Sequence, residues 1–351
     1  MTNEEKKGLG KGAKIGIASA IVIIILLTFT GVNYYLKYFG PSVTDSEKYL
    51  YIPTGSSFDD VLKTIKEKHI VTDEASFLYA AENMDYIKKV KPGKYRLQKG
   101  LSNRRFINML KAGNQEPVKI AFQNVRLKEN FAALVSQKIE ADSISLIKLL
   151  DSASFVEKYG FTKDNVYVMF IPNSYEMYWN TSAEKFFLRM YDEYQKFWTD
   201  ERKAKAKQIG LTSEQVSIMA SIVDAEALYD KEMPIIAGLY MNRLNKGIKL
   251  ESDPTVIYAN NDFTIRRVLN KHLRKISPYN TYTNIGLPPG PISMPSIHAV
   301  DAVLNFAKHD YIYMCAKEDF SGYHNFASNL PAHMANAHKF QQALNERNIK
   351  K

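Results

Sequence analysis

Between Ile15 and Leu36 the chain carries no charged residue. As a helix, those twenty-two residues rise about 33 Å at roughly 1.5 Å each, enough to cross a bilayer core. The middle of the run, Ala20 to Leu27, is aliphatic throughout. Lys6, Lys7, Lys11 and Lys14 precede it, and basic residues on that side favour a cytoplasmic N-terminus. A cleaved signal peptide is the competing reading, but its apolar core is shorter and small residues mark its cut. This run ends in Asn33-Tyr34-Tyr35-Leu36-Lys37, aromatic and basic as at a membrane interface. The expectation is a cytoplasmic tail over 1–14 and one uncleaved span over 15–36 in the inner (cytoplasmic) membrane. The remainder then lies on the outer side as a soluble part on a tether.

The 351 residues are enough for two domains, and 45% apolar with 24% charged residues is a globular balance. The net charge of +10 fits nucleic acid, anionic lipid or an acidic polymer. Residues 1–14 hold four lysines and two glutamates, so +8 of it lies beyond the tail. Outside the membrane nucleic acid is set aside as a partner. Cys315 is the one cysteine, which excludes a disulfide-stapled domain and a thiolate metal cage. It reads as a buried, inert thiol.

After a linker at 37–47, strand and helix signals alternate. Tyr49–Ile52 is strand-like, Pro53-Thr54-Gly55 turns, and Ser57 with Asp60 three residues on can cap a helix. Ala75 to Met84 looks helical. Gly93–Leu97 is strand-like, Ser102 caps a helix, and Gly113 ends it. These units define a small α/β module at 48–113. Val118–Phe122 starts a further strand, followed by a helix near Lys128–Ile139. Residues 143–210 read as mostly helical, with Phe186, Phe187, Met190, Tyr191, Tyr194 and Phe197 at helical spacing, a pattern that favours core over a ligand platform. The fold class expected is α+β: a transmembrane helix, the small module, and a mixed α+β domain over 114–351.

The chemistry concentrates after residue 212. Thr212-Ser213-Glu214-Gln215 has the form of a capping box and opens a helix through Ala227. At about 100° per residue, Glu226 shares a side with Met219, Ile222 and Val223, while Asp224 sits about 200° away from it. Desolvation at the end of an apolar stripe would keep Glu226 protonated near neutrality, as a general acid for glycosidic cleavage requires. A salt-bridged glutamate at the edge of the core is the alternative. Further along lie Asn242-Arg243-Leu244, the acidic turn Glu251-Ser252-Asp253-Pro254, and a loop with five prolines between 278 and 295. Proline-dense loops can hold polar side chains around a groove, or serve as a rigid crossover.

Taken together, Ser221-Ile222-Val223-x-x-Glu226, Asn242-Arg243-Leu244, Asp253-Pro254-Thr255-Val256-x-Tyr258, Tyr279-Asn280-Thr281-Tyr282, Gly286-Leu287-Pro288-Pro289-Gly290-Pro291-Ile292 and His324-x-Phe326 resemble the MltG (YceG-like) family of endolytic murein transglycosylases. The module at 48–113 is similar to the LysM-like part of that family, where glycan binding and a ligand-free spacer are both open. The resemblance implies that Glu226 is the catalytic acid and base, with Asp224 supporting it. Asn242, Asp253, Tyr258, Asn280, Tyr282 and His324 are implied candidates to bind substrate or orient it. It implies peptidoglycan strands as substrate, neighbouring peptidoglycan synthases as partners, and neither metal nor organic cofactor. The chain departs from the family in two places: Asp224-Ala225-Glu226-Ala227 stands where Glu-Lys-Glu-Thr is frequent, and Pro172-Asn173-Ser174-Tyr175 where Pro-Asp-Thr-Tyr is frequent.

Three other readings are weighed. Five of the seven histidines lie in the last 54 residues, but there is no His-Glu-x-x-His to support a metallopeptidase. A non-catalytic glycan-binding scaffold for synthases is the main alternative. A water-using muramidase would need a second carboxylate, for which Asp224 or Asp253 could serve.

Overall fold

A computed structural model describes residues 10–347, so most of the expected tail, including Lys6 and Lys7, lies outside the described residues. The chain divides into two units. One takes in the chain up to Val118 together with Tyr178–Asn180, and the other comprises Lys119–Met177 and Thr181 onward.

The first unit begins with helix α1, Lys11–Phe39. It is the one helix among the described residues that is long and apolar enough to cross a membrane, with mean hydropathy 2.6 over its best window. There follow β1 (Tyr49–Ile52), α2 (Phe58–Glu67), α3 (Glu74–Asn83), β2 (Gly93–Arg96) and α4 (Asn103–Ala112). β1 and β2 pair antiparallel, Tyr49 opposite Arg96 and Ile52 opposite Gly93. The expected caps form: Ser57 and Asp60 make a reciprocal capping box on α2, Ser102 caps α4, and Gly113 closes α4 in the left-handed region at φ 74°. Leu50, Ile52, Val61, Phe77 and Phe106 meet in one core.

The segment 37–47 does not behave as a linker. Helix α1 continues through it to Phe39, and Tyr38 is only 8% exposed, packed into the core just named. The amides of Ser42 and Val43 both donate to the Leu101 carbonyl (3.1 and 2.9 Å), and Thr44 N donates to Ile70 O at 2.8 Å. The residues after the apolar run carry their own apolar side chains, Tyr38 and Val43, and burying each is worth about 1.5–3 kcal/mol, more than a free tether would offer. A chain beginning at Lys37 is therefore expected to keep this unit folded. One beginning at Thr44 loses Tyr38, Ser42 and Val43, and should be destabilised by about 3 kcal/mol in urea unfolding followed by circular dichroism.

The second unit contains β3 (Val118–Phe122), α5 (Lys128–Ser136), α6 (Ser143–Leu150), α7 (Ala153–Val156), β4 (Asn173–Met177), α8 (Ala183–Phe197) and α9 (Asp200–Gln208). Then come α10 (Ser213–Glu226), α11 (Met233–Asn245), α12 (Asp253–Asn260), α13 (Asn270–Leu273), α14 (Ile297–Leu304), β5 (Tyr313–Ala316), β6 (His324–Ala327) and α15 (Leu330–Glu346). β3 pairs with β4, and β5 with β6 as an antiparallel hairpin. Phe131 is an aromatic hub, with ring centroids 4.9 Å from Phe122, 4.3 Å from Phe170 and 6.0 Å from Phe186. Phe186, Phe187, Met190 and Tyr194 of α8 are buried, as their spacing predicts.

Helix α10 departs from the expected stripe. All eight residues from Val216 to Val223 are buried, so it is a central helix covered on every side, packed by α11 and α14. Ser217 and Ser221 are tolerated there because their hydroxyls reach the carbonyls of Ser213 (3.1 Å) and Ile218 (2.7 Å). Burial ends where the sequence turns polar, at Asp224.

Candidate active site

The helix that buries its whole middle delivers its last residue, Glu226, to an opening. Thr212 and Gln215 cap the start of α10 reciprocally, with Thr212 N to Gln215 Oε1 at 2.9 Å and Gln215 N to Thr212 Oγ1 at 3.2 Å. Helix dipoles make a C-terminal end unfavourable for a carboxylate, so this position favours the neutral acid. A cavity of about 250 Å³ lies beside it, lined by Glu226, Tyr240, Arg243, Asp253, Tyr282 and His324 among others.

Two hydroxyls hold the carboxyl. Tyr240 Oη of α11 donates to Glu226 Oε1 at 2.8 Å, and Ser252 Oγ donates to the same oxygen at 2.6 Å. Ser252 is fully buried and its own amide donates to Thr281 Oγ1 at 3.0 Å. Thr281 and Thr255 hydroxyls sit 2.7 Å apart behind it. Both bonds fall on Oε1, which leaves Oε2 as the oxygen that can carry the acid proton. Burial pushes the Glu226 carboxyl above its ordinary value; the Ser252 and Tyr240 hydroxyls pull it back in part, Asp253 nearby adds to the rise, and His324 opposes it. Burial likewise holds the Tyr240 phenol well above its usual range, so it remains a donor.

Asp253 opens α12 and accepts from Tyr282 Oη at 2.7 Å. His324 begins β6. Its Nδ1 lies 2.8 Å from Glu232 Oε2, and its amide donates to Glu232 Oε1 at 2.8 Å. Glu232 is only 4% exposed, so this buried carboxylate fixes the imidazole in place and leaves Nε2 as the uncommitted ring nitrogen. Arg243 braces the cavity lining: Nε donates to Lys249 O (2.7 Å), Nη1 to Ile312 O (2.7 Å), and Nη2 to Glu251 (2.5 Å).

The residues singled out from sequence separate into groups. Glu226, Asp253, Tyr282 and His324 line one cavity. Tyr258 lines two neighbouring cavities instead. Asn242 is turned to the chain at 309–311, donating to His309 O (2.7 Å) and Tyr311 O (3.0 Å). Asn280 is wholly buried; its amide donates to Leu273 O and Lys275 O (2.9 and 2.8 Å), and its oxygen accepts from Tyr282 N (3.0 Å), which makes it a brace for the loop bearing Tyr282. Asp224 receives Ser296 Oγ (2.6 Å) and Ser296 N (3.3 Å), tying α10 to the start of α14. Cys315 is not the buried thiol expected. It is half-buried on β5 and lines the Glu226 cavity, where desolvation pushes its pKa up.

Tyr240, Ser252 and Glu232 escaped the sequence reading. Their one available signal is polarity inside otherwise apolar or turn segments. In the proline loop, Gly290 has a specific role: a Cβ there would collide with the Asp164 carbonyl, so only glycine lets the loop lie against it. Among the described residues no cluster of three or more His, Cys, Asp or Glu side chains is placed to hold a metal.

Fold and site thus define a mixed α+β protein with a desolvated carboxyl in a polar cavity, in a chain that carries a long apolar helix near its N-terminus. Residues 50–339 match the YceG-like family, and the chain belongs to it. It is 28% identical to the endolytic murein transglycosylase of Bacillus subtilis over 84% of this chain and 85% of that one. It is 26% identical to the protein of that name from Streptococcus pneumoniae D39, over 86% of this chain but only 61% of the streptococcal one. A crystal structure of a YceG-like protein from Listeria monocytogenes superposes with a TM-score of 0.55 at 25% identity, covering 82% of this chain and 97% of that one.

Proposed function

We propose that this protein is an endolytic lytic transglycosylase of peptidoglycan, cleaving between N-acetylmuramic acid and N-acetylglucosamine and leaving 1,6-anhydro ends. The observation that carries the reading is the Glu226 carboxyl: desolvated, held on one oxygen by two hydroxyls, and lining a cavity. Family membership and the relatives' names supply the substrate class. Glu226 Oε2 protonates the glycosidic oxygen as oxocarbenium character develops at C1. The resulting carboxylate takes the proton from the muramyl C6 hydroxyl, which closes on C1. One carboxyl serves both steps because the nucleophile belongs to the substrate. Tyr240 and Ser252 stabilise the transient carboxylate, Tyr282 and His324 face the bound sugar, and Glu232 sets the imidazole.

A second reading has its own support. Asp253 lines the same cavity and could activate water, which would give a muramidase. Mass spectrometry of products from purified sacculi separates the two. Anhydro ends are expected; reducing ends would sink the transglycosylase reading, and no soluble product at all would favour a non-catalytic scaffold.

Helix α1 is proposed as an uncleaved anchor in the cytoplasmic membrane, with the residues after it on the outer side, acting on strands as neighbouring synthases extend them. The paired strands and helices of the first unit are consistent with a LysM-like glycan-binding module.

Removing the Tyr240 hydroxyl removes a donor that favours the carboxylate, so Glu226 rises further. In Tyr240→Phe the alkaline limb of kcat/KM should move to higher pH while kcat falls about tenfold, because the carboxylate formed mid-reaction loses a partner. An unmoved limb would count against coupling of Tyr240 to Glu226.

A further inference from the structure

Beyond the segment that carries Glu226 lie two cavities that the cleavage chemistry does not use. The smaller, about 280 Å³, is walled by Asp224 and Ala225 of α10, Pro254 and Ile257 of α12, and the rings of Tyr258 and Phe263. The larger, about 460 Å³, continues from it past Tyr258 and Arg126, which line both. The smaller cavity is next to the Glu226 cavity along the chain: Ala225 precedes Glu226, and Pro254 follows Asp253.

The smaller cavity has the chemistry of a sugar subsite. Tyr258 and Phe263 bring two aromatic rings together, centroids 6.4 Å apart, and such rings match the C–H faces of a pyranoside. Arg126 packs its guanidinium over Phe263 at 4.6 Å, and among the described residues it makes no ion pair. Arg126 is the one cation lining this cavity, and the one acid there, Asp224, is engaged on both oxygens by Ser296. In the larger cavity Glu129 and Asp164 offset the lysines, and Lys128 is held by Asp151 at 2.5 Å. A planar fork without a partner, stacked beside aromatic rings, is suited to a carboxylate.

We propose that the Tyr258–Phe263–Arg126 cavity is a subsite for a neighbouring pyranoside unit of the strand, with its ring on the aromatic pair and a carboxylate of its peptide stem on Arg126. This rests on the transglycosylase reading and extends it: a cut within a strand needs saccharide units held on both sides of Glu226, and this cavity supplies one side.

The test uses the full chain in detergent micelles, carrying Glu226→Gln so that bound strands stay intact, with binding followed by calorimetry. The probes are purified murein glycan strands bearing their stem carboxylates, and the same strands with those carboxyls amidated. Adding Arg126→Ala should weaken binding of the carboxylate strands about tenfold and leave the amidated strands unchanged. Adding Phe263→Ala should weaken both alike. An Arg126→Ala protein that binds the carboxylate strands as tightly as the protein retaining Arg126 would overturn the subsite. So would an equal loss on both. Cleavage by the unmodified protein, measured in parallel, tells this failure from that of the underlying reading: anhydro ends with Arg126-independent binding sink the subsite alone, whereas neither binding nor cleavage sinks both.

Discussion

Replacing Glu226 with glutamine is expected to lower release of anhydro-ended fragments from sacculi by about 10³–10⁴-fold, the upper part of the range for general acid–base catalysis, because one group serves as acid and then base. The substitution is close to isosteric. The amide oxygen can still accept from Tyr240 and Ser252, which both bond Oε1 in the native site. What is lost is the transferable proton. The fold should not suffer, and the sign of the stability change follows from the titration. Because the folded state holds the Glu226 carboxyl above its ordinary value, it binds that proton more tightly than the unfolded chain does. The wild type is therefore most stable, as far as this group is concerned, below the ordinary carboxylate range. It loses that contribution as pH rises through the raised value. Glutamine does not titrate, so Glu226→Gln should melt at or above the wild-type temperature at neutral pH, by differential scanning calorimetry. An inactive variant that melts well below wild type would speak for a structural role of Glu226, and a variant with wild-type activity would remove it from the mechanism altogether.

The second large effect is expected at Arg243. Its side chain is only 7% exposed, and its three bonds tie the turn at Lys249 and Glu251 to the distant Ile312. Arg243→Ala strands two carbonyls and one carboxylate and opens a hole where the guanidinium lay. Glu251 is 44% exposed and can recover water, so the full penalty of a broken buried pair does not apply. A loss of about 3 kcal/mol is expected, read as a lower midpoint in urea at unchanged slope. Lysine in its place keeps the charge but can satisfy only part of the three-way geometry, so Arg243→Lys should fall between alanine and wild type. A destabilisation under about 0.5 kcal/mol for Arg243→Ala would mean that water replaces all three contacts.

What the sequence disclosed follows the range over which each feature is determined. The capping boxes at Ser57 and Thr212 and the glycine stop at Gly113 were legible because each is settled within a few neighbours. The position of Glu226 at the end of α10 was legible for the same reason. Its surroundings were not. Tyr240 and Ser252 are 14 and 26 residues away, and Glu232 meets His324 across 92 residues, pairings that only the packing of α11, the start of α12 and the β5–β6 hairpin creates. Asn242 and Asn280 show the converse. Both stood out as polar residues in a motif, yet their amides are spent on backbone carbonyls that would otherwise be unpaired. The apolar stripe expected on α10 widened to the entire circumference because helices cover it on more than one side, which no periodicity within α10 alone reveals.

The continuation of α1 into the core of the first unit bears on how the protein can leave a surface. With α1 in a bilayer, proteolytic shedding would need an extended, accessible stretch between the span and the folded residues after it. Here the residues that follow the apolar run are helical as far as Phe39 and then bonded through Ser42, Val43 and Thr44. A protease must first unfold part of the unit to cut there. Release would thus depend on the free energy of that local opening as well as on the protease, so weakening the contacts of Ser42, Val43 and Thr44 would speed it.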